Sequence, residues 1–519
     1  MSQTTLSMFK LIQEQNPQAE HITNKYLKND TIIARQYQIS IAKNCLLQNT
    51  AVILPTGLGK TIIAFLVIAE ILPKRVLFLA PTKPLVMQHY ENCKRFVNIE
   101  ERKVIMLSGS IPQKKRALQF DSGTIIISTP QTIKNDIFKG LYTLEDIHLI
   151  IFDEMHKAVE KYAYVELAKK FNGLILGLTA SPGSKKKKIN QIFENLKINN
   201  IERRLREDTD VKEHIKDIRI EWIKVQMNVA LKEILEQLNR LFLQSIKKLN
   251  KVGILTYKKP KYLSKKDILA SRLSIKKRFG RRPYAFAIYN IQSVLLHTYH
   301  CLELIETQGI APFLKYIENL NSRDKLSKSE KTFLNKDELR EAVDIAQKHN
   351  HISHPKLVML RQIVETQFQS EPDSLIIIFT QYRNTIESIE GVLTGIRDTK
   401  AQRFIGQGMQ SNVRGMTQNQ QKEVIENFRK REINVLIATS VAEEGIDIPN
   451  VNLVIFYEPL PSEIRTIQRE GRTGRTHIGK VAILITEGTR DEAYLYAGMQ
   501  KKKKMQRIVK ELKSSRIWH

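Results

Sequence analysis

The stretch Leu54-Pro55-Thr56-Gly57-Leu58-Gly59-Lys60-Thr61 decides how the chain is read. It stands between an apolar run, Ala51 to Leu54, and an apolar helical segment, which is the setting a phosphate-binding loop requires. Glycines let backbone N–H groups wrap an anion, and the N-terminus of the following helix adds its partial positive charge. Lys60 is placed to neutralise β- and γ-phosphates and the Thr61 hydroxyl to hold Mg²⁺, so ATP with Mg²⁺ is the expected ligand pair. Leu54 replaces the first glycine of the strict pattern, while the TGxGKT core and its flanks are intact.

Working outward, runs of the same kind recur at Val76 to Leu79, Val104 to Leu107, Thr124 to Ser128, Leu149 to Phe152 and Leu174 to Leu178. Continuous apolar runs, as opposed to alternating ones, mark parallel strands covered on both faces. With helical segments between them, they predict an α/β, doubly wound domain over residues 30–201. Leu375 to Phe379, Val435 to Ala438, Leu453 to Tyr457 and Val481 to Ile485 predict a second one over 351–500.

Residues 202–350 read differently. Leu231, Ile234, Leu235, Leu238, Leu241, Phe242, Ile246 and Leu249 follow helical spacing, so an all-helical insert is expected between the two sheets. It carries basic clusters at Lys247, Lys248 and Lys251; at Lys258, Lys259 and Lys261; and at Lys276, Lys277, Arg278, Arg281 and Arg282. A solvated helix surface is the plain reading of any one cluster. Three clusters with interleaved Tyr257, Tyr262 and Phe279 point to nucleic-acid contact, with Lys276, Lys277, Arg281 and Arg282 as candidates. Residues 1–29 form an N-terminal extension and 501–519, opening on Lys501-Lys502-Lys503-Lys504, a basic tail.

Composition agrees. A chain of 519 residues is too long for one core, and 83 Lys plus Arg against 54 Asp plus Glu leaves +29. The partner is therefore a polyanion, nucleic acid before an acidic membrane surface. The three cysteines form no CxxC pair, which supports neither a disulfide framework nor a zinc module. The N-terminus lacks a signal pattern and no apolar stretch could span a bilayer, so a soluble, cytoplasmic, nucleoid-associated protein is expected, without a membrane.

Asp153 and Glu154 follow the run Leu149-Ile150-Ile151-Phe152, at a strand's C-terminal end. Downstream of a phosphate loop, Asp153 can hold the magnesium and Glu154 can polarise an attacking water.

Together, Pro55 to Thr61, Asp153-Glu154-Met155-His156 and Thr179-Ala180-Ser181-Pro182 resemble motifs I, II and III of superfamily 2 helicases. The resemblance implies two RecA-like domains. It assigns Arg35 and Gln38 to the adenine-reading segment, and gives Pro81, Thr82, Thr129 and Pro130, in motifs Ia and Ib, contact with the nucleic-acid backbone. Met155 departs from the usual Ala; a side chain facing the core would leave the chemistry unchanged. In the second half, Gln468-Arg469-Glu470-Gly471-Arg472-Thr473-Gly474-Arg475 resembles motif VI, which implies that Gln468, Arg472 and Arg475 act at the γ-phosphate across an interdomain cleft. The segment Thr439 to Pro449 resembles motif V, with Thr439 and Ser440 on the phosphodiester backbone and Asp447 near the ribose. Thr380 and Gln381 fall in a motif IV that also reads the backbone.

The likeness goes below superfamily level. Arg403 to Gln407, Gly415 to Gln418, Ile437 to Pro449, Phe456-Tyr457-Glu458-Pro459 and Gly488 to Tyr494 resemble the archaeal Hef helicases and the Fanconi-anaemia M-type translocases. That family places a thumb-like helical insert between its RecA-like domains and acts on forked and branched DNA in replication-fork repair, which is the activity the resemblance implies. One departure stands out: that family commonly carries a C-terminal XPF-type nuclease, whereas this chain ends about 20 residues after its last matching motif, so a helicase-only form lacking the nuclease is expected. A RIG-I-like double-stranded-RNA-dependent ATPase and a non-catalytic DNA-binding scaffold are the alternatives. The intact Lys60, Glu154, Gln468, Arg472 and Arg475 speak against the scaffold. Finally, Gln3, Leu6 and Phe9 fit the spacing of sliding-clamp-binding peptides, with Lys10 where a second large apolar residue is usual, so a sliding clamp is a second candidate partner.

Overall fold

The computed structural model describes residues 10–12, 21–214, 217–257, 259–260, 263–280, 282–406, 415–439, 448–473 and 479–512. Of the expectations above, Gln3, Leu6, Phe9, Lys258, Lys261, Tyr262, Arg281, Ser440, Asp447 and Arg475 lie outside the described residues. A short antiparallel pair, β1 (Lys10–Ile12) and β2 (His21–Thr23), precedes the first domain.

The first sheet holds β3 (Thr50–Ile53), β4 (Arg75–Leu79), β5 (Val104–Leu107), β6 (Ile125–Ser128), β7 (Ile147–Phe152), β8 (Leu174–Thr179) and β9 (Asn200–Arg203). Its order is β5-β6-β4-β7-β8-β3-β9 and every pairing is parallel. The continuous apolar runs are explained by the two-residue side-chain period of a strand. Val76, Phe78, Leu149 and Ile151 point into one core, while Leu77, Leu79, Ile150 and Phe152 point into the core on the other face. All eight are fully buried, and each is worth roughly 1.5–3 kcal/mol relative to exposure.

The second sheet holds β10 (Ile218–Val225), β11 (Ile376–Phe379), β12 (Ala401–Phe404), β13 (Val435–Ala438), β14 (Leu453–Phe456) and β15 (Gly479–Thr486). Its order is β10-β15-β14-β11-β13-β12, again all parallel. Two half-cores repeat the arrangement, with Ile376 and Ile378 on one face and Ile377 and Phe379 on the other.

The insert has its own core. The helix Val229–Lys251, capped by the Asn228 side chain accepting from Leu231 N at 3.0 Å, buries the eight apolar residues its spacing marks out. They pack with Leu295, Leu302, Ile305 and Phe313. A hairpin formed by the helices Lys265–Phe279 and Pro283–Thr307 extends the bundle. On Lys265–Phe279 only Ile268, Ser271 and Ile275 are buried, Asp267 is the only acid, and Lys276 and Lys277 are exposed.

Two boundaries move. The insert was expected from residue 202, but Asn200–Arg203 is still an edge strand of the first sheet and Ile218–Val225 is an edge strand of the second. The chain thus contributes β10 to the second domain, leaves to build the insert, and returns at the helix Pro355–Ser370. The strand escaped detection because an edge strand needs only one buried row, and Ile218-Arg219-Ile220-Glu221 alternates. The expected basic tail is also corrected. Lys501 to Lys504 lie within the helix Arg490–Glu511, whose Met505, Ile508 and Val509 are buried in a core of the first domain. Among the described residues, no helix is long and apolar enough to cross a membrane.

Candidate functional site

In a parallel α/β sheet the loops at the C-terminal ends of the strands share one edge. That edge of the first sheet carries the phosphate loop after β3, Pro81 and Thr82 after β4, Thr129 and Pro130 after β6, Asp153 and Glu154 after β7, and Thr179 to Pro182 at β8. In the second sheet, Thr380 and Gln381 follow β11, Thr439 follows β13 and Glu458 follows β14.

The phosphate loop has the backbone such a loop needs. Gly57 and Gly59 have φ of 87° and 74°, in the left-handed region that favours glycine. Leu54 is fully buried and donates its N–H to Thr179 O at 3.1 Å, continuing the ladder of β3, so a large side chain fits where the strict pattern has glycine. Lys60 turns its ammonium onto the carbonyls of Leu54, at 3.0 Å, and Pro55, at 3.4 Å. Thr61 is the second residue of the helix Lys60–Ile71. From outside, Gln38 Nε2 and the Tyr37 hydroxyl donate to Leu58 O at 3.1 and 2.8 Å, and a Cβ on Gly59 would lie 2.3 Å from Gln38 Nε2. Arg35 Nη1 donates to the Tyr37 hydroxyl at 3.4 Å.

The two acids are held differently. Asp153 Oδ2 lies 2.8 Å from His89 Nε2, its Oδ1 accepts from Glu154 N at 3.0 Å, and its carbonyl accepts from the Tyr164 hydroxyl at 2.6 Å. Glu154 has a left-handed backbone, φ 48°, and its carboxylate lies 3.1 Å from His156 Nδ1. That nitrogen is also 3.2 Å from Thr179 Oγ1, which accepts from Ser181 N at 3.1 Å. Glu154 is thereby linked through His156 to the Thr179–Ser181 loop. Met155 is fully buried, as expected for a side chain facing the core, and Gly177 makes its room: a Cβ there would lie 2.6 Å from Met155 Sδ.

The second domain closes on this site. Gln468 lies on the helix Glu463–Glu470, and both it and Arg472 are buried. Gly471 packs so tightly on the phosphate loop that a Cβ would lie 2.4 Å from Thr56 Oγ1. A cavity of about 160 Å³ beside this contact is lined by Thr56, Ala180, Glu470, Lys502 and Met505, among others. Arg469 is fully buried with its guanidinium 4.6 Å from the centre of the Phe379 ring and 5.5 Å from that of Phe456, within cation–π range.

Thr380 needs correction as a direct nucleic-acid contact. It is fully buried; its N–H donates to Ala438 O at 3.0 Å and its hydroxyl to Glu458 Oε2 at 3.4 Å. It braces the loop, and the partly exposed Gln381 is the residue presented. Thr82 and Thr129 occupy the positions just before the helices Lys83–Phe96 and Pro130–Phe138, and Thr439 is buried. Lys276, Lys277 and Arg282 stand exposed on the insert hairpin.

Sequence reasoning missed His89, Tyr164 and Glu458 as supports. The trace of His89 is its place on the buried stripe Val86, His89, Cys93 and Phe96 of an otherwise polar helix. Only the fold reveals its partner.

Known proteins agree with this geometry. Residues 31–184 match the family described as "Type III restriction enzyme, res subunit", 230–353 "Putative ATP-dependent RNA helicase, helical bundle", and 355–477 "Helicase conserved C-terminal domain". The chain is 42% identical over 496 residues to "Putative ATP-dependent RNA helicase MJ1505" of Methanocaldococcus jannaschii, covering 95% of this chain and 62% of that protein. It is 32% identical to "ATP-dependent DNA helicase fml1" of Schizosaccharomyces pombe, covering 88% of this chain and 57% of that one. The chain thus spans less than two thirds of these relatives. Against the crystal structure of the Pyrococcus furiosus Hef helicase domain, the TM-score is 0.68 at 38% identity, covering 89% of this chain and 98% of that one. A match across nearly the whole of that domain means that this chain belongs to the Hef helicase family.

Proposed function

We propose that the chain is an ATP-dependent DNA helicase or translocase that remodels forked or branched DNA in replication-fork repair and recombination. The observation that carries this reading is the contact of Gly471 with Thr56. It brings the arginine-bearing loop of one domain against the phosphate loop of the other, so hydrolysis depends on closure and closure can be driven by ATP.

The residues present fit magnesium-bound ATP. Gly57 and Gly59 free the loop amides to face an anion, the Lys60 ammonium lies on the loop's own carbonyls, and Asp153 and Thr61 offer the hard oxygen donors Mg²⁺ prefers. Magnesium, when bound, neutralises charge on the phosphates. Lys60 adds to that neutralisation, Glu154 orients and polarises the attacking water, and Gln468, Arg472 and Arg475 complete the site from the second domain. Gln38 reads the adenine, and Asp447 the ribose. Pro81, Thr82, Thr129, Pro130, Gln381, Thr439 and Ser440 meet the phosphodiester backbone, while Lys276, Lys277, Arg281 and Arg282 of the insert hold the branched arm.

Backbone contacts carry no base identity, and the names of the matched proteins include both DNA and RNA helicases. The deciding experiment compares ATP hydrolysis stimulated by forked DNA, linear duplex, single strands and double-stranded RNA, with Lys60→Ala as the inactive control. Strongest stimulation by forked DNA is expected; strongest stimulation by double-stranded RNA would replace this reading with an RNA-dependent one.

A further inference from the structure

The insert meets the second domain through buried polar side chains, and one of them reaches the loop after β11. Gln308 follows directly on the helix Pro283–Thr307 and is 2% exposed. Its amide nitrogen donates to Thr307 Oγ1 at 3.0 Å and lies 3.5 Å from Glu458 Oε2, while its amide oxygen accepts from the Thr385 hydroxyl. Glu458 in turn accepts from the Thr380 hydroxyl at 3.4 Å and from the N–H of Gln381. Glu458, Thr380 and Thr385 are all buried.

An amide and a carboxylate withdrawn from water are costly unless bonded, and a bonded buried network admits few arrangements. The end of the insert's longest helix, the loop after β11 and the residue two positions beyond β14 are therefore held in one relative geometry. We propose that Gln308 is a positioning residue. Through Glu458 and Thr385 it fixes the Thr380–Gln381 loop to the insert, so that DNA gripped by the insert sets the loop that meets the same DNA. The functional half of this statement rests on the DNA-remodelling reading above; the structural half stands without it.

Two variants of the full chain test it, Gln308→Ala and the nearly isosteric Thr385→Val. Amide hydrogen exchange over residues 379–383, without DNA, is expected to quicken by about ten-fold or more in each. The double variant should exchange little faster than the quicker single one, because both changes break the same link. In the same proteins, the ratio of ATPase stimulation by forked DNA to that by linear duplex should fall by about five-fold or more, with DNA-free hydrolysis unchanged. Unchanged exchange overturns the proposal whatever the DNA result. Faster exchange with an intact ratio overturns the coupling of insert to loop. A parent protein with no fork preference overturns the DNA reading, and the exchange result still decides the positioning role.

Discussion

The second domain is joined to its two neighbours by opposite kinds of chemistry, and one helix, Arg490–Glu511, serves both joints. Its first turn is polar. Arg490 pairs with Glu306 of the insert and the Tyr494 hydroxyl donates to Glu303 of the insert at 2.9 Å, while within the second domain the fully buried Asp491 beside them pairs with the fully buried Lys356. Its last turns are charged outside and meet the first domain through one apolar face, with Met505, Ile508 and Val509 in a core of that domain. Only a few polar contacts supplement them: Ser181 Oγ to Met505 Sδ at 2.7 Å, and Arg203 to the carbonyls of Leu512 and Lys510 at 2.8 and 3.2 Å.

Directional bonds in a dry interior specify one geometry, whereas apolar burial rewards contact without dictating its angle. The comparison teaches which joint can move. The polar contacts are expected to hold insert and second domain as one unit, and the apolar contact to leave the angle of the first domain less strictly fixed.

The buried ion pair that anchors the polar end of this helix in the second domain should break most expensively. Lys356→Ala leaves Asp491 buried without its partner and should cost roughly 3–5 kcal/mol, read as a lower urea midpoint for the second domain and insert together. Separate transitions for insert and domain in the parent would contradict the single unit. The apolar joint should give way locally. Ile508→Ala is expected to cost about 2 kcal/mol, seen as faster proteolysis near residues 500–511 while the second domain keeps its urea midpoint.

The smallest effect is a pH dependence at the base of the insert. Burial, reinforced by the Lys356 ammonium, pushes the His354 imidazole down to about 3. Below its ordinary value near 6.5 the unfolded chain gains a proton that the folded chain does not take until about pH 3. Stability therefore falls as pH falls through that window, by about 1 kcal/mol between pH 6.5 and 5.5. His354→Asn, whose side chain can still accept from Lys356 N, should flatten the slope between pH 6.5 and 5.5 in urea melts.

What could be read from the sequence divides along a similar line. The β-strand runs, the phosphate loop and the acids after β7 are local patterns, and they were legible because backbone geometry and side-chain period act within a few residues. β10 was not, since an edge strand alternates and here sits before a helical stretch. Lys501 to Lys504 look like a solvated tail until Met505, Ile508 and Val509, spaced as one helical face, find a core in the other domain. His89 beside Asp153 and Gln308 beside Glu458 are pairings across long sequence distances that no local pattern encodes. The motif resemblance supplied roles for Thr380, but its burial behind Glu458 follows only from the packing.

The central claim is that the nucleotide site is completed only when the second domain closes on the first. Gly471→Ala tests it most directly, because the added Cβ would fall 2.4 Å from Thr56 Oγ1 and hold the cleft ajar without touching Lys60, Asp153 or Glu154. The measurement is steady-state ATP hydrolysis with saturating forked DNA, alongside nucleotide binding. Hydrolysis is expected to fall by about 10³-fold with nucleotide still bound. Hydrolysis at the parent rate would contradict the claim.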